Sequence, residues 1–246
     1  MKHYVKRQKN DAADAEAICE AVTRPNMRFV PIKTEEQQSV LVLHRARGLL
    51  MRQRTMILNA IRGHLAEFGI IVAQGPRQVM GMIARLRDEG DTSLPEIARS
   101  ALLALGAHLE ALAGEIWALE RQLMVWHRAD PTSQRLETIP GVGLITATAL
   151  AASVSDPSVF KSGREFAAFL GLVPRQNSSG GKDRLGRISK IGDRYLRKLL
   201  VVGATSVIRR AGSNPTKTGA WVRSLMERKP ARVVTVAMAN KTARIA

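Results

Sequence analysis

Four scarcities narrow what this chain can be. It has a single cysteine, Cys19, which rules out an internal disulfide framework and fits a reducing cytosol. No uninterrupted apolar run approaches the roughly 20 residues that cross a bilayer, and the opening MKHYVKRQKN lacks the apolar core of a signal peptide. Three tryptophans, two tyrosines and five phenylalanines make up only 4% of the chain, too few for a stacking platform laid along a single strand. Acids are outnumbered, 21 Asp and Glu against 38 Lys and Arg.

What remains is a strongly basic chain with material for real cores. Its 246 residues, 45% of them apolar, suffice for two domains. The net charge of +17, with a pI near 11.1, is spread along the chain rather than gathered in a tail, which points to a polyanionic partner. A membrane surface would need a lipid-facing amphipath with aromatic anchors, and none is present. With so few aromatics, contacts to nucleic acid are expected on phosphate and sugar, with sequence choice left to base pairing.

Two adjacent serines, four glycines and five cations fall within the twenty residues Gly171-Leu-Val-Pro-Arg-Gln-Asn-Ser-Ser-Gly-Gly-Lys-Asp-Arg-Leu-Gly-Arg-Ile-Ser-Lys190. Gly180, Gly181 and Gly186 allow a loop here to lie close to a ligand. Arg175, Lys182, Arg184, Arg187 and Lys190 make that ligand a phosphate. Ser178 and Ser179 stand where a hydroxyl could attack it. The plainer alternative is a basic loop that only grips a backbone, since no base accompanies the serines in sequence.

Along the chain, KNDAADAEAICE over 9–20 reads as a short helix with Asn10 or Asp11 as N-cap. Asp11 and Asp14, three apart, share a helical face where two carboxylates could hold a hard divalent cation; a cap and a solvated acid are the alternative. A long helix is expected from Thr34 to Phe68. Thr34 and Gln37 form its capping box, and Val40, Leu43, Ala46, Leu50, Ile57, Ile61 and Phe68 form its apolar stripe. Arg45, Arg47, Arg52, Arg54 and Arg62 on its other faces suit either a charged exterior or a track along a nucleic-acid backbone. A basic helix follows over 77–87. Pro95 belongs to the first turn of the next, where Leu102, Leu105, Leu109, Leu112, Ile116, Leu119, Leu123 and Trp126 make a heptad seam. The seam pairs with the 34–68 helix or with its counterpart in a second subunit, and a homo-oligomer, dimer or tetramer, is expected.

A boundary is expected at Asp130-Pro131. LETIPGVGLITATALAASV then reads as a helix-hairpin-helix, in which Gly141 and Gly143 open a helix whose amides take a phosphate or merely permit a tight turn. A short helix over SVFKSGREFAAFLGL leads into the basic loop. Beyond it an amphipathic helix turns Leu196, Leu199, Leu200 and Val207 inward, and Arg194, Arg197, Lys198, Arg209 and Arg210 outward. GSNPTKTG is a loop, and an apolar helix over 233–245 ends without a C-cap, as if clipped.

The string FLGLVPRQNSSGGKDRLGRISKIGDRYLRKLLVVGA resembles the C-terminal domain of transposases of the insertion-sequence 110 family, most of all the insertion sequence 1111 subgroup, and the resemblance extends over nearly the whole chain. It implies a serine nucleophile followed by glycine, which falls on Ser179. It also implies a RuvC-like half with four acids that bind Mg2+, the Asp-x-x-Asp of which falls on Asp11 and Asp14. Recombination of DNA guided by a structured RNA of the element is implied as well, as is a cytoplasmic, nucleoid-associated protein with no membrane partner. The expected fold is mainly α: 1–30 as the remnant of the RuvC-like domain, 34–128 as a helical coiled-coil region, and 131–246 as a transposase domain with helix-hairpin-helix and serine loop. Gly141, Gly143, Arg175, Lys182, Arg184, Arg187, Lys190 and Arg194 are the expected nucleic-acid contacts. The first two acids of the family pattern precede this chain's start, so a truncated, inactive copy is expected. The runner-up is a non-catalytic nucleic-acid-binding helical protein, and the third reading is the product of a decaying element with no role.

Overall fold

The computed structural model describes residues 11–25, 31–88, 93–177, 182, 184–213 and 216–246. The chain divides into two units, 1–32 and 33–246. In the first, α1 spans Asp11–Val22 with both aspartates in its first turn, where carboxylates complement the positive helix end. Glu20 holds Arg24 one turn on, and Thr23 Oγ1 donates to its carbonyl.

The second unit begins with α2, Glu35–Glu67, capped as expected: Thr34 Oγ1 accepts from the Gln37 amide, and Gln37 Oε1 accepts from the Thr34 amide, both at 3.1 Å. After α3, Pro76–Leu86, comes α4, Glu96–Ala129, with Pro95 as its N-cap rather than within its first turn. The seam is real and pairs within the chain. Leu102, Leu109, Leu112, Ile116 and Leu123 are buried, and α4 packs along α2 and against α3 and α6. Buried Gly106 lets Ile83 of α3 sit directly on α4, since a Cβ there would meet Ile83 Cγ2 at 2.5 Å. Two details of the α2 stripe differ from expectation. Phe68 is the half-exposed C-cap, and the stripe ends instead on Leu65, buried with Ile61, Val79 and Leu86. Though it has no unbroken apolar run, α4 averages a hydropathy of 1.4 over 18 residues, enough by length and composition to cross a bilayer.

Asp130 ends α4 and begins α5, Pro131–Glu137, its carboxylate accepting from the Ser133 amide. The turn at 138–143 leads to α6, Leu144–Ser153, buried continuously from Thr146 to Ala152. A helix apolar on all sides belongs in a core. A 3-10 turn at Pro157–Val159 precedes α7, Gly163–Phe169. After the segment 171–193 come α8, Arg194–Arg210, α9, Lys217–Met226, and α10, Ala231–Ile245. Leu170, Leu172, Leu196, Leu200, Val222, Val234 and Met238 centre this core. The fold is mainly α, as expected.

Three local expectations change. Part of the basic loop is a β-hairpin, β1 Pro174–Gln176 against β2 Leu185–Ile188, antiparallel and irregular between its two paired positions. The GSNPTKTG loop is shorter than expected, because Thr216 caps α9 by accepting from the Gly219 amide. Arg197 does not face outward: its guanidinium donates to the carbonyls of Leu170 at 2.9 Å and Ile191 at 3.1 Å.

Candidate nucleic-acid interface

The hairpin is basic and its base is pinned. Gly171 (φ +68°) and Gly192 (φ +84°) adopt left-handed backbone where the chain passes itself; a Cβ on the first would lie 2.2 Å from the Ile191 carbonyl oxygen, and on the second 1.9 Å from that of Phe169. Only glycine fits such crossings. Backbone bonds continue the ladder from Lys190 N to Gly171 O, from Ser189 N to Val173 O and from Asn177 N to Arg184 O. Arg175 donates to the Ser189 carbonyl at 3.2 Å. Arg175, Lys182, Arg184 and Arg187 are exposed on the hairpin, Lys190 at its base and Arg194 in the first turn of α8. The sequence-expected cations are therefore gathered on one ribbon and its root. Ser178, Ser179, Gly180 and Gly181 lie outside the described residues. By sequence they belong to the segment joining β1 to β2.

Asp11 and Asp14 stand together at the start of α1, apart from any third ligand: among the described residues no group of three or more His, Cys, Asp or Glu could hold a metal ion.

Gly141 and Gly143 differ in role. Gly141 (φ +88°) is pressed on α8, its carbonyl oxygen 1.8 Å from where a Cβ on Gly203 would stand, whereas a Cβ on Gly143 would meet nothing within 4 Å. Gly141 therefore serves close packing, and Gly143, the N-cap of α6, opens onto space.

That space is a cleft of about 1090 Å3 between α2, the 138–143 turn, α8 and α9. Tyr195, Lys198, Val202, Ser206 and Arg210 line it as a stripe along α8; α2 contributes Gly48, Met51, Arg52 and Met56. Sequence reasoning placed Arg52, Lys198 and Arg210 on outer faces but did not bring them together, because α2 and α8 are more than a hundred residues apart. Other cations are committed to the fold. Arg47 is held by Glu120 through Nε at 2.7 Å and Nη2 at 2.6 Å, and Arg62 donates to the Val72 carbonyl.

Behind the cleft lies a buried polar chain that the sequence did not suggest. His44, 2% exposed, bonds Tyr195 Oη through Nδ1 at 3.0 Å and Thr148 Oγ1 through Nε2 at 3.1 Å. Thr148 Oγ1 donates to the Leu144 carbonyl at 2.8 Å, so Nε2–H donates to Thr148 and Nδ1 accepts from Tyr195. Burial, seconded by the nearby Arg47 charge, lowers the His44 pKa to about 4, and burial raises that of Tyr195. The phenol proton is thus directed inward, to His44.

Comparison with known proteins agrees with the sequence resemblance. The profile of the Transposase IS116/IS110/IS902 family matches residues 133–219, and a DEDD-type transposase profile of IS110 elements matches residues 1–70. Over its full length the chain is 49% identical to a putative transposase, y4pF/y4sB, of Sinorhizobium fredii, spanning 63% of that protein. It is 47% identical to a probable family 20 transposase of Pseudomonas aeruginosa, spanning 73% of it. It is 40% identical to the transposase for insertion sequence element IS1111A of Coxiella burnetii, spanning 67% of it.

Proposed function

The chain belongs to the IS116/IS110/IS902 transposase family, and from that premise we propose that it acts on DNA in the movement of an insertion sequence, with Ser179 as the attacking hydroxyl. The observation that carries this reading is the pinned basic hairpin, which has Arg175 on one arm and Arg187 on the other, with Lys182 and Arg184 between Ser179-Gly180 and the second arm in sequence. Ser179 Oγ bonds to a backbone phosphorus as the phosphorus–oxygen bond to one sugar breaks. The serine proton leaves to a base, and the departing sugar oxygen takes one up. The reverse attack by a strand's hydroxyl rejoins the DNA and frees the serine. The cations offset the charge that builds on the phosphate oxygens. Lys190, Arg194 and the Gly143 end of α6 extend the grip on phosphate in the manner of a helix-hairpin-helix.

A DEDD-type domain implies dependence on a divalent metal in general. Magnesium demands near-octahedral oxygen coordination. Asp11 and Asp14 supply two carboxylates from one helix face and, with no third ligand among the described residues, do not compose a magnesium site by themselves. On this reading 1–30 belong to the acidic half, 34–128 to a helical coiled coil and 131–246 to the half that carries the serine. Guidance by an RNA of the element, assembly as a dimer or tetramer, and work in the cytoplasm on the nucleoid complete it. A second reading, a nucleic-acid-binding helical protein without strand chemistry, is favoured by the unfilled carboxylate set.

The deciding assay is a covalent adduct on labelled DNA in the presence of the element RNA and Mg2+. It is run with the chain alone and with the chain fused to the part of the Pseudomonas relative that the match leaves uncovered. Adduct is expected from the fusion and not from its Ser179→Ala variant, with DNA binding changed by no more than about twofold, since one hydroxyl contributes little beside many cations. Adduct surviving Ser179→Ala would sink the nucleophile assignment; DNA binding with no adduct from the fusion would establish the second reading.

A further inference from the structure

The cleft between α2 and α8 is not accounted for by the hairpin chemistry, and its lining has two characters. Arg52, Lys198 and Arg210 form no ion pair with any acid among the described residues, although Arg47 beside them is committed to Glu120. Met51, Met56 and Val202 line the same cleft; Met56 is 69% and Val202 59% exposed. Unpaired guanidinium and ammonium groups call for an anion. An apolar floor among them calls for something flat and apolar to cover it, and methionine adapts to the shape of whatever lies on it. A duplex keeps its base faces stacked inward and offers a surface only phosphate, sugar and base edges, so no base face reaches that lining. Unpaired nucleotides offer both, base faces for the floor and phosphates for the rim. The volume, about 1090 Å3, is just above the roughly 300–1,000 Å3 that holds a small ligand, so more than one nucleotide fits.

Resting on the nucleic-acid reading above, we propose that this cleft binds unpaired nucleotides of a single strand, with phosphates on Arg52, Lys198 and Arg210 and bases on Met51, Met56 and Val202. The chain then carries two separate nucleic-acid surfaces, the hairpin and the cleft, with different preferences for strandedness.

Gly48 provides a clean test. It lines the cleft from within α2, its backbone is helical, and a Cβ there would meet nothing within 4 Å. Gly48→Leu therefore adds apolar bulk to the cleft wall from a Cβ position clear of neighbours, leaves every charge in place and improves helix propensity. Binding of the full chain is measured by fluorescence anisotropy against labelled single strands of about 12 nucleotides, as DNA and as RNA, and against a duplex of the same sequence. Gly48→Leu is expected to weaken single-strand binding about tenfold or more and duplex binding no more than about twofold, since the electrostatic term is untouched. Val202→Gln, at an exposed position of the cleft, removes apolar surface at unchanged net charge and is expected to do the same, and circular dichroism checks that both variants keep the parent fold. Comparing the RNA and DNA arms then identifies the sugar, and the proposal is supported by selective loss in either. Unchanged single-strand binding in both variants overturns the cleft proposal and leaves the hairpin reading standing. Failure of the parent chain to bind any of the three probes overturns both.

Discussion

Acid should loosen this fold through one residue. His44 is neutral when folded, with its pKa lowered to about 4 by burial and by Arg47; in the unfolded chain it returns to the ordinary value near 6.5. Protons therefore bind the unfolded state first. The stability that neutral His44 contributes is complete above pH 6.5, shrinks as pH falls below that value, and is gone below about 4. Each pH step of one below 6.5 removes about 1.4 kcal/mol, so the loss is about 2 kcal/mol at pH 5 and about 3 kcal/mol at pH 4. His44 is 2% exposed, so water screens little of this. The assay is urea unfolding followed by circular dichroism near pH 7.5, 6 and 5 for the parent and for His44→Gln. Other histidines and carboxylates titrate in both proteins, so the difference between the two pH profiles isolates His44. The parent should lose about 2 kcal/mol more than His44→Gln on going to pH 5. Parallel profiles would show that burial does not shift His44 in the fold, and on protonation it would then donate from both ring nitrogens, to Tyr195 Oη as well as to Thr148 Oγ1.

Leu112→Asp sets an unpaired charge in the α4 seam, where Leu112 is 4% exposed; a loss of about 3–5 kcal/mol is expected in thermal unfolding, and an unshifted transition would show the seam is not packed. Gly203→Ala places a Cβ 1.8 Å from the Gly141 carbonyl oxygen, so despite a helix-propensity gain of about 1 kcal/mol the melting temperature should fall; a rise would mean the turn yields freely. Affinity for duplex DNA should drop steeply between about 50 and 200 mM salt, and affinity indifferent to salt would rule out a phosphate-dominated surface.

The long helices were legible because their signals are local. Thr34 and Gln37 sit three apart and the seam repeats every three or four residues, so neither requires knowledge of the rest of the chain. The hairpin was not legible: β1 is wholly exposed and β2 nearly so, which leaves no in–out alternation, and what holds it is Arg197 and the glycine crossings at Gly171 before it and Gly192 after it. Helix α9 hid behind Gly219 and the Ser-Asn-Pro that precedes its cap. The His44 chain lay beyond reach for another reason, since its partners are 104 and 151 residues away. Of the candidate site, the cations of the hairpin were named from sequence one by one. Those of the cleft were seen too, but as scattered outer charges, because only the approach of α2 to α8 makes them a group.

The joint at Asp130 has a mechanical consequence. One residue closes α4 and opens α5, leaving no slack between them, and α4 lies along α2 for much of its 34 residues, about 50 Å of helix. One end of that pair is braced against α6 by Val40, Leu123 and Ala152, and the other is clasped by α3 through Leu65, Ile83 and Leu86. The pair is thus fixed at both ends, and Gly48 and Arg52, which line the cleft, stand on the stretch of α2 between the two braces.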